Sequence, residues 1–182
     1  MRRSGYFSLL RGCLLLGLAG AARAQFASTG TTTLSVTVAA DAGLQVNTAT
    51  TTMTASGTAF SGSYTGTTSL TYKIRTTSST GSGTITLKVT SDFSPAGGPS
   101  VLSPPTAGDT LTYTCTLTSP GTGCSGSQTA STTSSTSVGT FGAGAKSASG
   151  GNTGSVAWTL TNDPSYTTGT YSATVTFTIS AT

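Results

Sequence analysis

Residues 171–181 read YSATVTFTISA, and this stretch decides the fold. Tyr171, Ala173, Val175, Phe177, Ile179 and Ala181 alternate with Ser172, Thr174, Thr176, Thr178 and Ser180. A period of two puts the first set on one face of a strand and the second on the other; a helix needs a period near 3.6. The apolar face predicts a core contact. The hydroxyl face predicts a solvated surface, because threonine keeps β propensity while remaining polar.

The same alternation recurs upstream. Leu34, Val36 and Val38 alternate with Ser35 and Thr37, and Leu70, Tyr72 and Ile74 with Thr71, Lys73 and Arg75. Further runs are Ile85, Leu87 and Val89; Leu111, Tyr113, Cys115 and Leu117; and Val156, Trp158 and Leu160. Shorter strands are expected around Leu44 to Val46, near Met53, and from Val138 to Phe141. Ser78 to Gly83 predicts a hairpin between its flanking strands. Good helix formers are scarce after residue 24, and glycine interrupts often. Roughly seven to nine strands in about 150 residues imply an all-β fold, a single antiparallel immunoglobulin-like β-sandwich. Ser94 to Gly108 predicts a long loop and Ser125 to Ser137 a mobile excursion or a weak edge strand, both too short for interdomain linkers, so one domain is expected over residues 25–182.

The start of the chain sets the compartment. Arg2, Arg3 and Arg11 precede an apolar run from Leu14 to Ala22, and Ala22-Arg23-Ala24 offers small residues where a signal peptidase reads. Residues 1–24 are therefore expected to be a cleaved signal peptide, and the protein to be secreted: extracellular or periplasmic, at the cell surface. The run is too short to span a membrane, so no integral membrane segment is expected after cleavage. The formal charge of +4 belongs to the four arginines of the leader. Lys73, Arg75, Lys88 and Lys146 then balance Asp41, Asp92, Asp109 and Asp163, which removes the electrostatic basis for binding nucleic acid. Cys115 and Cys124 remain as an even pair in an oxidising compartment. They flank Pro120-Gly121, so a disulfide stapling a hairpin or its loop is expected.

Composition argues against catalysis. The chain has no histidine and no glutamate, and 43 threonines lie among residues 25–182. A nucleophilic hydroxyl needs a base beside it, and histidine and glutamate supply most general bases and many metal ligands. The four aspartates sit in unrelated turn contexts, and Asn162-Asp163-Pro164 reads as a turn. No catalytic residue, cofactor or metal is expected. On the expected 70–90 hairpin, Lys73, Arg75 and Lys88 share the polar face, a candidate cationic patch for an acidic glycan or phosphate. The same cations would also protect an edge strand from wrong pairing. Trp158, between Val156 and Leu160, is expected in the core. Tyr64 and Tyr166 are expected in loops, with Tyr166 placed to hydrogen-bond a neighbouring loop as a tyrosine corner does.

Gly169 is the fourteenth residue from the C-terminus, and inward residues alternate from Tyr171 to Ala181. This end resembles the C-terminal signature of chaperone–usher pilins and of the related spore-coat-U-type domains. The run Leu34, Val36, Val38 resembles the donor strand that fills a neighbour's groove in those proteins. Two features depart from the pattern: Ala181 stands at the aromatic position, and the cysteines lie mid-chain. Trp158-Thr159-Leu160 is similar to one motif of the W-x-L cell-wall-binding domains, which carry two. The resemblance implies a non-catalytic structural or adhesive surface protein, a fimbrial or coat-type subunit that assembles with itself or another surface subunit by β-strand addition. The same alternation fits the first and last strands of a closed sandwich. A carbohydrate-binding module is the alternative function, with a glycan as its ligand.

Overall fold

A computed structural model describes residues 29–182; the expected signal peptide lies outside the described residues. The chain divides into Met1–Val36 and Thr37–Thr182. The described part of the first unit, residues 29–36, has no regular secondary structure.

The second unit is an all-β sandwich of two antiparallel sheets. Its strands are β1 (Asp41–Val46), β2 (Thr54–Ser56), β3 (Ser63–Arg75), β4 (Gly83–Ser94), β5 (Thr112–Leu117), β6 (Thr122–Gly123), β7 (Gln128–Thr129), β8 (Thr136–Phe141), β9 (Asn152–Thr161) and β10 (Ser172–Ala181). One sheet has the order β1-β3-β9-β5-β7, with β2 also on β3, and the other β10-β4-β8-β6. β1 pairs with the second half of β3 and β2 with its start, so two short pieces share that edge.

Alternation does what the sequence predicts. The inward residues Leu70, Tyr72 and Ile74 of β3 meet Ile85, Leu87 and Val89 of β4, and all six are at most 4% exposed. Val156, Trp158 and Leu160 of β9 and Tyr113 of β5 complete the packing. Trp158 is 5% exposed; its indole N–H donates to Thr68 Oγ1 at 2.8 Å, and its ring lies 5.4 Å from that of Tyr113. Burial of a polar tip is tolerated when it finds a partner, and here it does.

Several expectations need correction, among them Tyr64: expected in a loop, it lies in β3 opposite Leu160. The 70–90 segment is not a hairpin: β3 and β4 lie in different sheets, so residues 76–82 cross from one layer to the other. The alternation of each strand was right, but alternation fixes a face and not a partner. The Cys115–Cys124 disulfide forms, with Cα atoms 5.3 Å apart. It joins β5 of one sheet to the residue after β6 of the other, so it clasps the two layers rather than two arms of a hairpin. Leu34 to Val38 forms no strand.

The strand register defines two ends of the sandwich. At one, Asp41 stands opposite Arg75 and Ala181 opposite Gly83. At the other, Ser63 stands opposite Thr161 and Ser172 opposite Ser94.

Candidate functional site

The core is sealed unevenly. On β4, Ile85, Leu87 and Val89 are 0–1% exposed, yet every inward residue of the adjacent β10 is only partly buried: Ala173, Val175, Phe177, Ile179 and Ala181. Facing them, Ala42 and Leu44 of β1 are also only partly buried. Both strands are terminal in their sheets. The sandwich is therefore open along the β1–β10 side, where apolar side chains stay partly in water. The opposite side carries short β6 and β7 and the disulfide.

Among the described residues β10 pairs only with β4, which leaves its second backbone edge without a strand partner along ten residues. Natural edge strands are protected by lysine, proline, strong bulges or short length. β10 has no charged residue and no proline, and its register shifts are confined to Ser172–Val175. From Val175 to Ala181 the free edge is a regular template for another strand. A strand laid on it with apolar residues at every second position would cover the half-buried row.

A segment of that pattern exists in the same sequence. Leu34, Val36 and Val38 are 92%, 85% and 61% exposed. Side chains of this size are rarely left in water in a row, and such a row marks an interaction site more often than chance. The root of the segment is held: Arg75 Nε donates to the Ala39 carbonyl at 2.7 Å.

The candidate cationic patch is rearranged. Lys73 and Arg75 lie on β3, but Lys88 lies on β4 in the other sheet, so the three do not share a face. Lys146 takes the third place through an isolated bridge with Arg75. Lys73, Arg75 and Lys146 line an open concavity of about 520 Å³ together with Asp41 and Ser147. Sequence offered no signal for Lys146, which sits in an irregular stretch brought in by the Thr76–Ala145 hydrogen bonds.

The far end of the sandwich is acidic, which the sequence did not reveal. Burial pushes the Asp92 carboxyl up, but hydrogen bonds from Val101 N–H, the Ser100 hydroxyl, Leu102 N–H and Phe93 N–H outweigh it and hold the group below its usual range. Asp163 is likewise held low, by the Ser165 hydroxyl, by Thr106 and by Ser165 N–H at 2.8 Å. Asp109 moves the other way, raised by burial and by the adjacent Asp163 carboxyl. Tyr166 is pushed up to about 12 by burial and by the charges of Asp109 and Asp163. Its hydroxyl is buried with no hydrogen-bond partner, as is Asp163 Oδ2, so Tyr166 does not form the expected corner bond.

Of the ten aromatic rings among the described residues four are buried and five partly buried, and Phe60, at 61%, is the exposed one. Tyr72, Tyr113 and Trp158 are core residues, and Tyr171 spends its hydroxyl on Thr167. Among the described residues no group of three or more acidic, cysteine or histidine side chains could hold a metal ion, and no helix is long and apolar enough to cross a membrane. Compared with known proteins, the chain matches no family model, no curated protein and no solved structure.

Proposed function

We propose that this protein is a secreted, non-catalytic structural subunit of a cell-surface assembly, built by adding the 31–38 segment of one copy to the β10 edge of another. The observation that carries this is the row of half-buried inward residues on an uncharged, proline-free edge strand. The exposed Leu34, Val36 and Val38 supply a complementary alternation. The disulfide supports an oxidising compartment.

The linker argues for exchange between copies. To lie on its own β10, the segment would have to reverse direction within Ala39-Ala40 before entering β1. β1 and β10 lie in different sheets, so the chain would also have to cross from one layer to the other within those two residues. A neighbour's edge imposes no such turn.

Removing residues 25–39 tests the proposal. The truncated chain should stay monomeric at concentrations where the chain retaining residues 25–39 forms oligomers. A synthetic peptide of residues 29–40 should bind it and raise its melting temperature. A chain retaining that segment that stays monomeric at high concentration, with residues 31–38 protected from hydrogen exchange, would overturn strand exchange and leave a self-contained sandwich.

A further inference from the structure

Resting on that strand-addition reading, we infer that the two ends of the sandwich are complementary docking surfaces for successive copies of this chain. The Lys73–Arg75–Lys146 end of the donating copy sits against the Asp92–Asp109–Asp163 end of the accepting copy. The partner is a second copy of this chain, and the joint is electrostatic as well as apolar.

The charges of the sandwich are sorted by end. Arg75 closes β3, Lys73 lies two residues before it, and Lys146 bridges to Arg75; all three are exposed. Asp41, opposite Arg75, is the one aspartate at this end among the described residues. At the other end, Asp92 lies near the end of β4 and Asp109 just before β5, both partly exposed, while Asp163 just after β9 is only 6% exposed and acts through its charge rather than by contact. No described cation lies there, and Lys88 sits midway along β4, opposite Thr176. The sandwich thus carries a net positive end and a net negative end although its described charges balance overall.

This sorting matters because of where the donor segment leaves. It departs from Asp41, beside the cations, with Arg75 gripping Ala39. Two directions are open to it along the neighbour's β10. If it runs opposite to β10, the donor's cationic end comes to rest at the Ser172 end of the acceptor, among the three aspartates. If it runs with β10, the donor's cationic end meets the acceptor's own cationic end near Ala181. Like charges a few ångströms apart oppose the second arrangement; opposite charges favour the first, within a Debye length of about 10 Å at 0.1 M salt. A donor end that differs from the acceptor end makes a head-to-tail contact, which propagates from copy to copy as an open chain or, where the rotation per copy closes, a ring.

Light scattering on the chain from residue 25 onward at about 20 mM and about 300 mM NaCl reads the electrostatic part directly. Association should slow about tenfold at the higher salt, whereas purely apolar joining would be unchanged or faster. The Lys73→Glu/Lys146→Glu variant should assemble about tenfold more slowly than the parent at low salt. The uncharged peptide of residues 29–40 serves as the control, because it occupies the β10 edge without bringing the cationic end. It should block assembly of parent and variant equally at both salt concentrations. If the peptide does not bind, strand addition itself fails. If it binds while assembly ignores salt and charge reversal, only the docking of the ends fails. Cross-linking fixes the direction: copies with Ala40→Cys should join copies with Ser172→Cys in preference to copies with Thr182→Cys. The opposite preference would overturn the inference, and the salt series on the unaltered chain decides even if the charge variant misfolds.

Discussion

Leu34→Ala separates a residue of the protein's own core from a residue meant for a neighbour. Leu34 is 92% exposed, so its removal should leave the melting temperature of the isolated chain almost unchanged, within about 0.5 kcal/mol of the parent. In an assembled joint the same side chain would be covered by the β10 row. Leucine to alanine removes three carbon groups, and burying each is worth about 0.8 kcal/mol, which gives about 2.4 kcal/mol of lost association. That corresponds to roughly a 50-fold weaker joint, since about 1.4 kcal/mol is one factor of ten. Ser35→Ala and Thr33→Ala, on the opposite phase of the alternation, should change the association constant less than about threefold, the size of an ordinary surface substitution. Sedimentation equilibrium gives the association constants, and thermal unfolding under dissociating conditions gives the stabilities. A clear loss of monomer stability in Leu34→Ala would show that the segment packs within its own fold. Equal effects at residues 33, 34 and 35 would show that no strand with alternating faces forms.

Two further outcomes test the fold and its acidic end. Trp158→Ala should cost about 3–5 kcal/mol in denaturant unfolding, because it opens a cavity and removes the indole bond to the Thr68 hydroxyl, which keeps Thr51 as its other partner; a cost under about 1 kcal/mol would contradict the buried position. Asp109→Asn should raise the melting temperature at pH 7, because the folded chain holds the Asp109 carboxyl above its ordinary value. A raised carboxyl destabilises the fold while ionised, and the penalty fades as pH falls through its folded value. The gain should therefore vanish at pH 3, below the unfolded value of about 3.9. An equal gain at both pH values would point to packing rather than charge. Asp92 and Asp163 have the opposite sign: their depressed values contribute stability above the unfolded value that is lost as pH falls through the folded ones.

The legible part of the molecule is the part set by nearest neighbours along the chain. Alternation identified both faces of β10, the inward position of Trp158 and the inward runs of β3 and β4, because side-chain direction in a strand follows directly from residue parity. Partner choice was not legible. Residues 70–90 read as a hairpin because strands adjacent in sequence commonly pair, yet the loop at 76–82 sends β4 into the second layer. The cationic cluster followed the same error: Lys88 was placed with Lys73 and Arg75, while Lys146 arrived from a loop that carries no periodic signal. The acidic end was hidden for a related reason. Asp92, Asp109 and Asp163 are far apart in sequence, and each reads alone as a turn residue; only the sheet register brings them to one end.

Free edges of this kind are a hazard, and the distribution of polar and charged groups bears on how it is contained. The outward row of β10 is serine and threonine, several of them engaged with β4, as in the Thr90–Thr176 and Thr84–Ser180 contacts at 3.1 Å. A partner that stacked face-on against β10 would have to strip water from those hydroxyls, so pairing is confined to the backbone edge and the inward row. Any strand with apolar residues at every second position could satisfy that requirement, including β10 of another copy. Two β10 edges meeting directly would bring the inward rows of two sandwiches together with nothing between them to match their depth. The 31–38 segment differs in being unencumbered by a sheet of its own, so it can enter the opening between β1 and β10 where a second sandwich cannot. Charge sorting then adds direction at little cost to the apolar contact, because Lys73, Lys146 and the three aspartates lie at the ends, away from the inward residues of β10 from Val175 to Ile179.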